Sequence, residues 1–221
     1  MNESKNIPEI LSELSNHLMI NGSMIFFSGL LYGKLGISLF FFHYSRYTGN
    51  PLYHEYALHL VELVKLQIHD DYPLDYERGL AGVGTGFVYL KKHGYYDVSD
   101  DMMRQIDSKI INAVGYERRN NMLTGFGRYL ISRNKNIPDT IIKDTLFQIE
   151  SYLSSPIDAL IKEVPKNKIT EIIDSFNLSD LDELFSGNHD FAFHGGYAGL
   201  GLALISTMDS ENVSWINLLP I

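Results

Sequence analysis

No cysteine occurs among the 221 residues of this chain. Disulfides, thiolate nucleophiles and thiolate-held zinc are therefore outside its own chemistry. No apolar run approaches the roughly 18 residues that read as a membrane-spanning helix. The first residues, Met1-Asn2-Glu3-Ser4-Lys5-Asn6, lack the basic-then-apolar order of a secretory signal. These absences set the expectation of a cytoplasmic protein with no membrane insertion. Positive charge is scarce as well. Lys and Arg number 18 against 27 Asp and Glu, a formal charge of -9, which repels the phosphates of nucleic acid and of anionic lipid. Nucleic acid is not an expected partner. Sustained polar–apolar alternation is also missing, so strands are not expected.

What is present is enough apolar material, 45% hydrophobic and 12% aromatic residues, to fill a sizeable core. It is punctuated by a recurring glycine phrase. The clearest copies are Gly79-Leu80-Ala81-Gly82-Val83-Gly84 and Gly196-Tyr197-Ala198-Gly199-Leu200-Gly201. Gly33-Lys34-Leu35-Gly36-Ile37-Ser38 is a third, and Met122-Leu123-Thr124-Gly125-Phe126-Gly127 a weaker fourth. Each precedes an apolar stretch of helical character, at Leu39–Tyr44, Phe87–Leu90, Tyr129–Ile131 and Leu202–Ile205. The phrases are expected at helix starts.

Between them lie amphipathic segments with apolar residues every three or four positions, the period of a helix with one buried stripe. The first runs from Pro8 to about Leu18, and the second starts after the Gly49-Asn50-Pro51 stop signal. The third follows Ser99 as N-cap, and the fourth begins near Pro138. The chain reads as all-α, with outer amphipathic helices alternating with more apolar inner ones. Units that cannot bury a face alone must stack or close on one another. The last interval between glycine phrases is much the longest, so a single domain over 1–221 is expected to carry an insertion at about 155–187. Its acidic amphipathic stretch Ile172–Phe185 reads as an extra helix or lid.

Two explanations of the glycines stand side by side. A helix start offers unpaired N–H groups to an anion or peptide. Alternatively, glycine lets inner helices crowd together where a side chain would not fit. The phrase has neither the Lys-Ser/Thr ending of a phosphate loop nor the preceding strand of a dinucleotide fold. On either explanation, the segments leading into the inner helices should converge on one rim. They are polar and aromatic: His69–Arg78 before the second inner helix, Glu117–Asn120 before the third, His189–His194 before the fourth. Candidate binding residues are Asp75, Glu77, Arg78, Arg118, Arg119, His189, Asp190 and His194; a solvated polar face is the plainer account. His189 and His194, with His69, carry imidazoles suited to a metal, but a five-residue separation in a loop fixes no geometry and no metal residue is assigned. Phe40, Phe41, Phe42 and Tyr44, and His17, His43, His54, His59 and His93, read as packing or surface residues.

These phrases resemble those of the lanthionine synthetase C-like family, from Gly29-Leu30-Leu31-Tyr32-Gly33-Lys34-Leu35-Gly36-Ile37 through Gly79–Gly84 to the end of the chain. The closing Gly196–Leu204 and Trp215-Ile216-Asn217-Leu218-Leu219 look like the family's last repeat and tail, which implies a natural C-terminus. The resemblance implies an α/α toroid of repeated helix pairs with G-x-x-G turns, incomplete or reduced relative to the seven-pair family barrel. Family cyclases add peptide cysteine thiols to dehydrated Ser or Thr, with zinc held by two cysteines and a histidine. Phe193-His194-Gly195 echoes the family's Cys-His-Gly ligand pair with phenylalanine in the cysteine place. The expectation is a member without zinc or other cofactor and without cyclase activity. It would bind a peptide or partner protein in bacterial peptide natural-product maturation. An α/α-toroid hydrolase or lyase acting on carbohydrate through Asp75, Glu77 and Asp190 is the enzymatic alternative, and a structural subunit of a larger synthetase complex is a third.

Overall fold

A computed structural model describes residues 7–134, 140–153, 165, 167–178, 184–185, 190–209 and 213–220. The described residues form nine α-helices and no strand: α1 Ile7–Asn21, α2 Lys34–Thr48, α3 Pro51–Gln67, α4 Leu80–Lys92, α5 Asp100–Val114, α6 Asn120–Asn134, α7 Thr140–Tyr152, α8 Asn167–Asp174 and α9 Tyr197–Met208. None is long and apolar enough to cross a membrane.

Local signals set the helix ends. Gly49, at a φ of 69°, closes α2 in the left-handed conformation that glycine adopts without steric cost, and its N–H bonds the Ser45 carbonyl. Asn50 then caps α3 by accepting from Leu52 N–H at 3.0 Å, with Pro51 in the first turn. Ser99 caps α5 at Met102 N–H, and Asp100 and Asp101 complement the positive end of that helix.

Burial separates the helices into two layers. In α5 only one stripe is buried, Met103, Ile106, Ile110 and Val114. In α4 every residue from Leu80 to Leu90 is buried, and in α9 every residue from Tyr197 to Ser206. The inner helices neighbour one another in the order α9, α2, α4, α6. Outside them α1 packs on α9, α3 on α2, and α5 and α7 around α4 and α6. This is the alternating helical-repeat architecture, reduced in size. Phe40, Phe41 and Phe42 are fully buried within it. Between inner helices the crowding explanation of glycine holds: a Cβ on Gly84 would enter the ring of Tyr129 in α6, and one on Gly201 the ring of Phe40 in α2. On the outer side Arg133 and Tyr129 both donate to Asp107, tying α6 to α5 through a largely buried ion pair.

The closing segment ties the arc together. Ser214–Leu218 forms a 3-10 turn whose Trp215 is fully buried. Trp215 Nε1 donates to Ser206 of α9 at 2.9 Å, and its ring lies edge-on to Phe193. Tyr76, just before α4, donates to the Leu218 carbonyl at 2.9 Å, and Arg128 of α6 donates to the Leu219 carbonyl at 2.9 Å. The tail thereby bridges α9, α4 and α6.

Two expectations change. The fourth glycine phrase is not at a helix start: α6 begins at Asn120, and Gly125 lies within it, a Cβ there falling 2.9 Å from Tyr76 Cβ. Its lead-in is too short to fold back on the helix. In the 155–187 region the described helix is α8, which starts earlier than the Ile172–Phe185 stretch and packs on α9; much of the remaining expected insertion lies outside the described residues.

Candidate functional site

Three inner helices start in the same way. The lead-in chain folds back so that its carbonyls accept the first helical N–H groups: Phe27 and Ser28 for Lys34 and Leu35, Pro73 and Leu74 for Leu80 and Ala81, Asp190 and Ala192 for Tyr197 and Gly199. The second glycine of each phrase makes that fold-back fit. A Cβ on Gly36, Gly82 or Gly199 would collide with the carbonyl oxygen of Leu30, Tyr76 or Phe193, in each case six residues upstream. Donors left orphaned at an ordinary helix start are thus satisfied internally. The glycines serve the chain's own backbone rather than a bound anion.

The three lead-ins are also joined to one another. Leu31 and Tyr32 N–H both bond the Glu77 carbonyl, at 3.0 and 3.4 Å, and Phe193 and His194 N–H both bond the Leu31 carbonyl at 3.1 Å. Gly29 meets the backbone of Arg78 so closely that no side chain could stand there. The loops of the first, second and last repeats therefore form one rim, built around Leu31.

On this rim Tyr32 Oη lies 2.8 Å from His194 Nδ1. Burial raises the Tyr32 phenol pKa, with Glu77 and Asp190 adding to the shift and Arg78 opposing it. Burial lowers the His194 imidazole, with Glu77 acting against that shift and Lys168 reinforcing it. Which of the two donates follows the imidazole tautomer: with the ring proton on Nε2, the phenol donates to Nδ1. Arg78 extends over two aromatic faces, its guanidinium carbon 4.4 Å from the centre of Phe27 and 5.6 Å from that of Tyr32.

Of the residues expected at the rim, Glu77, Arg78, Asp190 and His194 come together. Asp75 lies on the same loop but is occupied locally, its carboxylate accepting Arg78 N–H at 2.7 Å. Asp190 likewise accepts Ala192 N–H at 3.2 Å. Of the three candidate carboxylates Asp75, Glu77 and Asp190, two are thus engaged in shaping their own turns. Arg118 and Arg119 do not join the rim: Arg118 bonds the Val114, Gly115 and Glu117 carbonyls and lies over Tyr152, while Arg119 pairs with Glu117 at 2.7 Å. The Arg119 guanidinium, with the backbone N–H groups of Arg118 and Arg119, holds Glu117 down at about 2. His189 lies outside the described residues. Tyr32 and Phe27 were not among the expected residues; aligning the lead-ins on Gly33 and Gly79 would have set Tyr32 in register with Arg78.

The residues present do not fit a thiolate-held zinc. Phe193, in the place where the echoed pair would have cysteine, is buried against Trp215, and the His194 Nδ1 is engaged by Tyr32. Among the described residues no three His, Asp or Glu side chains are grouped to hold a metal.

Lowering the pH through about 6.5 is expected to weaken the fold. Burial lowers the imidazole pKa of both His93 and His194. The unfolded chain then takes up these protons at a higher pH than the folded one. Their contribution to stability is present above about pH 6.5 and lost as the pH falls through the folded values. Urea midpoints compared at about pH 7 and about pH 5.5 should drop in the acid sample, and drop less in His194→Gln.

A family model described as "Lanthionine synthetase C-like protein" matches residues 27–179. No curated protein and no solved structure matches the chain. The family match stops before α9, yet Gly196 and Gly199 repeat the geometry of Gly33 with Gly36 and of Gly79 with Gly82.

Proposed function

Because the chain belongs to the lanthionine synthetase C-like family, we propose that it binds a peptide or partner-protein segment at the Tyr32–Arg78–His194 rim. The role would be that of a non-catalytic component of bacterial peptide natural-product maturation. The observation that carries this reading is the joining of three lead-in loops through Leu31, which gathers aromatic, cationic and imidazole side chains on one polar surface. Such a surface offers hydrogen bonds and aromatic contact to an extended chain. The absence of cysteine removes the thiolates with which a family cyclase holds zinc, so thiol addition has no thiolate-held metal within this chain.

Metal analysis combined with peptide binding tests the proposal. Purified protein should contain no stoichiometric zinc and should bind members of a fluorescent set of short acidic, neutral and basic peptides. Substituting His194 by alanine should weaken that binding without unfolding the protein. Zinc at one equivalent, lost in His194→Ala, would overturn the non-catalytic reading, and failure of every peptide class to bind would overturn the binding role.

A further inference from the structure

Seven arginines occur in the chain, and in six of them the guanidinium has a partner. Arg46 donates to the His93 carbonyl, Arg104 pairs with Asp101, Arg118 bonds three carbonyls, Arg119 pairs with Glu117, Arg128 bonds the Leu219 carbonyl and Arg133 pairs with Asp107. Arg78 is the exception. Among the described residues its guanidinium has aromatic neighbours, Phe27 and Tyr32, but no carboxylate or carbonyl acceptor. Stacking restrains the planar group and leaves its N–H donors to solvent, the state in which arginine takes up a carboxylate through paired hydrogen bonds.

Beside it the surface turns apolar. Phe26 is 82% exposed and Met24 80%, and Phe26 lies edge-on to Phe27 with ring centres 5.3 Å apart. Ile20, at the end of α1, is exposed as well. Contacts run from Phe26 to Phe27, from Phe27 to the Arg78 guanidinium, and from the guanidinium to Tyr32 and its partner His194. The overall charge of -9 opposes an anionic ligand, so the complementarity is local: the Arg78 guanidinium flanked by exposed aromatics fits a negative charge next to an apolar side chain.

We infer that Arg78 and the Met24–Phe27 strip form a docking subsite for an acidic peptide segment, with Arg78 receiving an Asp or Glu carboxylate and Phe26 and Met24 covering an adjacent apolar side chain. This rests on the peptide-binding reading above and names the class of peptide. Two carboxylates of the rim limit where the ligand can lie. Glu77 and Asp190 act on Tyr32, and Glu77 acts on His194 as well, so a further negative charge is disfavoured beside that pair.

The test measures fluorescence anisotropy of three labelled peptides against the full chain: one alternating Asp with Phe and Leu, one with Asn for each Asp, and one with Ser for each Phe and Leu. The Asp–Phe/Leu peptide should bind tightest. Arg78→Gln should weaken it about tenfold, the scale of a lost charge-assisted hydrogen bond, and should leave the Asn peptide unchanged. Arg78→Lys should restore part of the affinity, and Phe26→Ser should weaken the Phe/Leu peptides but not the Ser one. Arg104→Gln, exposed on α5, is the control for net charge, and unchanged thermal melting shows that each variant is folded. Equal binding of the Asp and Asn peptides, or an Arg78→Gln protein that binds as wild type, would overturn the subsite. If the Asn peptide binds while neither Asp peptide does, the subsite falls and the broader peptide role stands. If no peptide of any class binds, both fall.

Discussion

Gly82→Ala is expected to cost at least about 3 kcal/mol of folding stability, the upper range for forcing an added group into a packed interior. The new methyl would fall on the Tyr76 carbonyl oxygen, far inside contact distance. Tyr76 has little room to withdraw: it is buried, its hydroxyl is bonded to the Leu218 carbonyl, and its Cβ is packed against Gly125 of α6. Relief therefore requires peeling the second lead-in from α4, which would also disturb the Glu77 carbonyl that holds Leu31 and Tyr32. Total stabilities of about 5–15 kcal/mol leave little margin for such a change. Urea denaturation should show a large fall in midpoint or loss of the cooperative transition. Gly115→Ala is the matched control, since a Cβ there meets only the Asn112 carbonyl, at 3.5 Å. A Gly82→Ala protein that melts with wild type would show that the fold-back is not held by this contact.

Trp215→Ala is expected to cost about 3–5 kcal/mol, the range for emptying a large aromatic site in a core. The loss comes mainly from the vacated volume. Ser206, which accepts the indole N–H, also donates to the Leu202 carbonyl at 2.9 Å and is not left orphaned. Removing the indole frees the tail at its buried anchor, so Tyr76 and Arg128 stand to lose the Leu218 and Leu219 carbonyls together. Denaturation midpoints and limited proteolysis report the two effects separately. The variant should be less stable and its last residues should be cleaved sooner, with Trp215→Phe intermediate. Unchanged stability would mean that the tail is an ornament on the arc of inner helices rather than a brace across it.

Much of the architecture was legible because its signals are local. Ser99, Pro51 and Gly49 mark helix ends through hydrogen bonds and φ preferences that involve only near neighbours, and the all-round apolar character of Leu80–Leu90 announces a helix buried on every side. The site was legible only in part. Glu77, Arg78, Asp190 and His194 were found because each precedes a glycine phrase. Tyr32 and Phe27 precede one too, but their importance comes from the approach of distant loops, which spacing along the chain does not encode. Arg118 and Arg119 share the composition of the other lead-ins, yet theirs is too short to fold back, and Glu117 and Tyr152 engage them instead. Nor did the residue type disclose that Asp75 and Asp190 are engaged in their own turns.

The joining of the lead-ins also bears on the order in which the molecule assembles. Each fold-back links residues only six or seven apart and can form as soon as its own segment is made. The contact between Tyr32 and His194 spans 162 residues, and closing so long a loop comes late because its entropy must be overcome before any contact rewards it. During synthesis the inner helices of the first repeats can collapse while the rim is still incomplete. The rim proposed to receive a partner is therefore built in two stages: Arg78 can meet Phe27 and Tyr32 as soon as the second repeat is made, and His194 joins them only when the last repeat reaches the first.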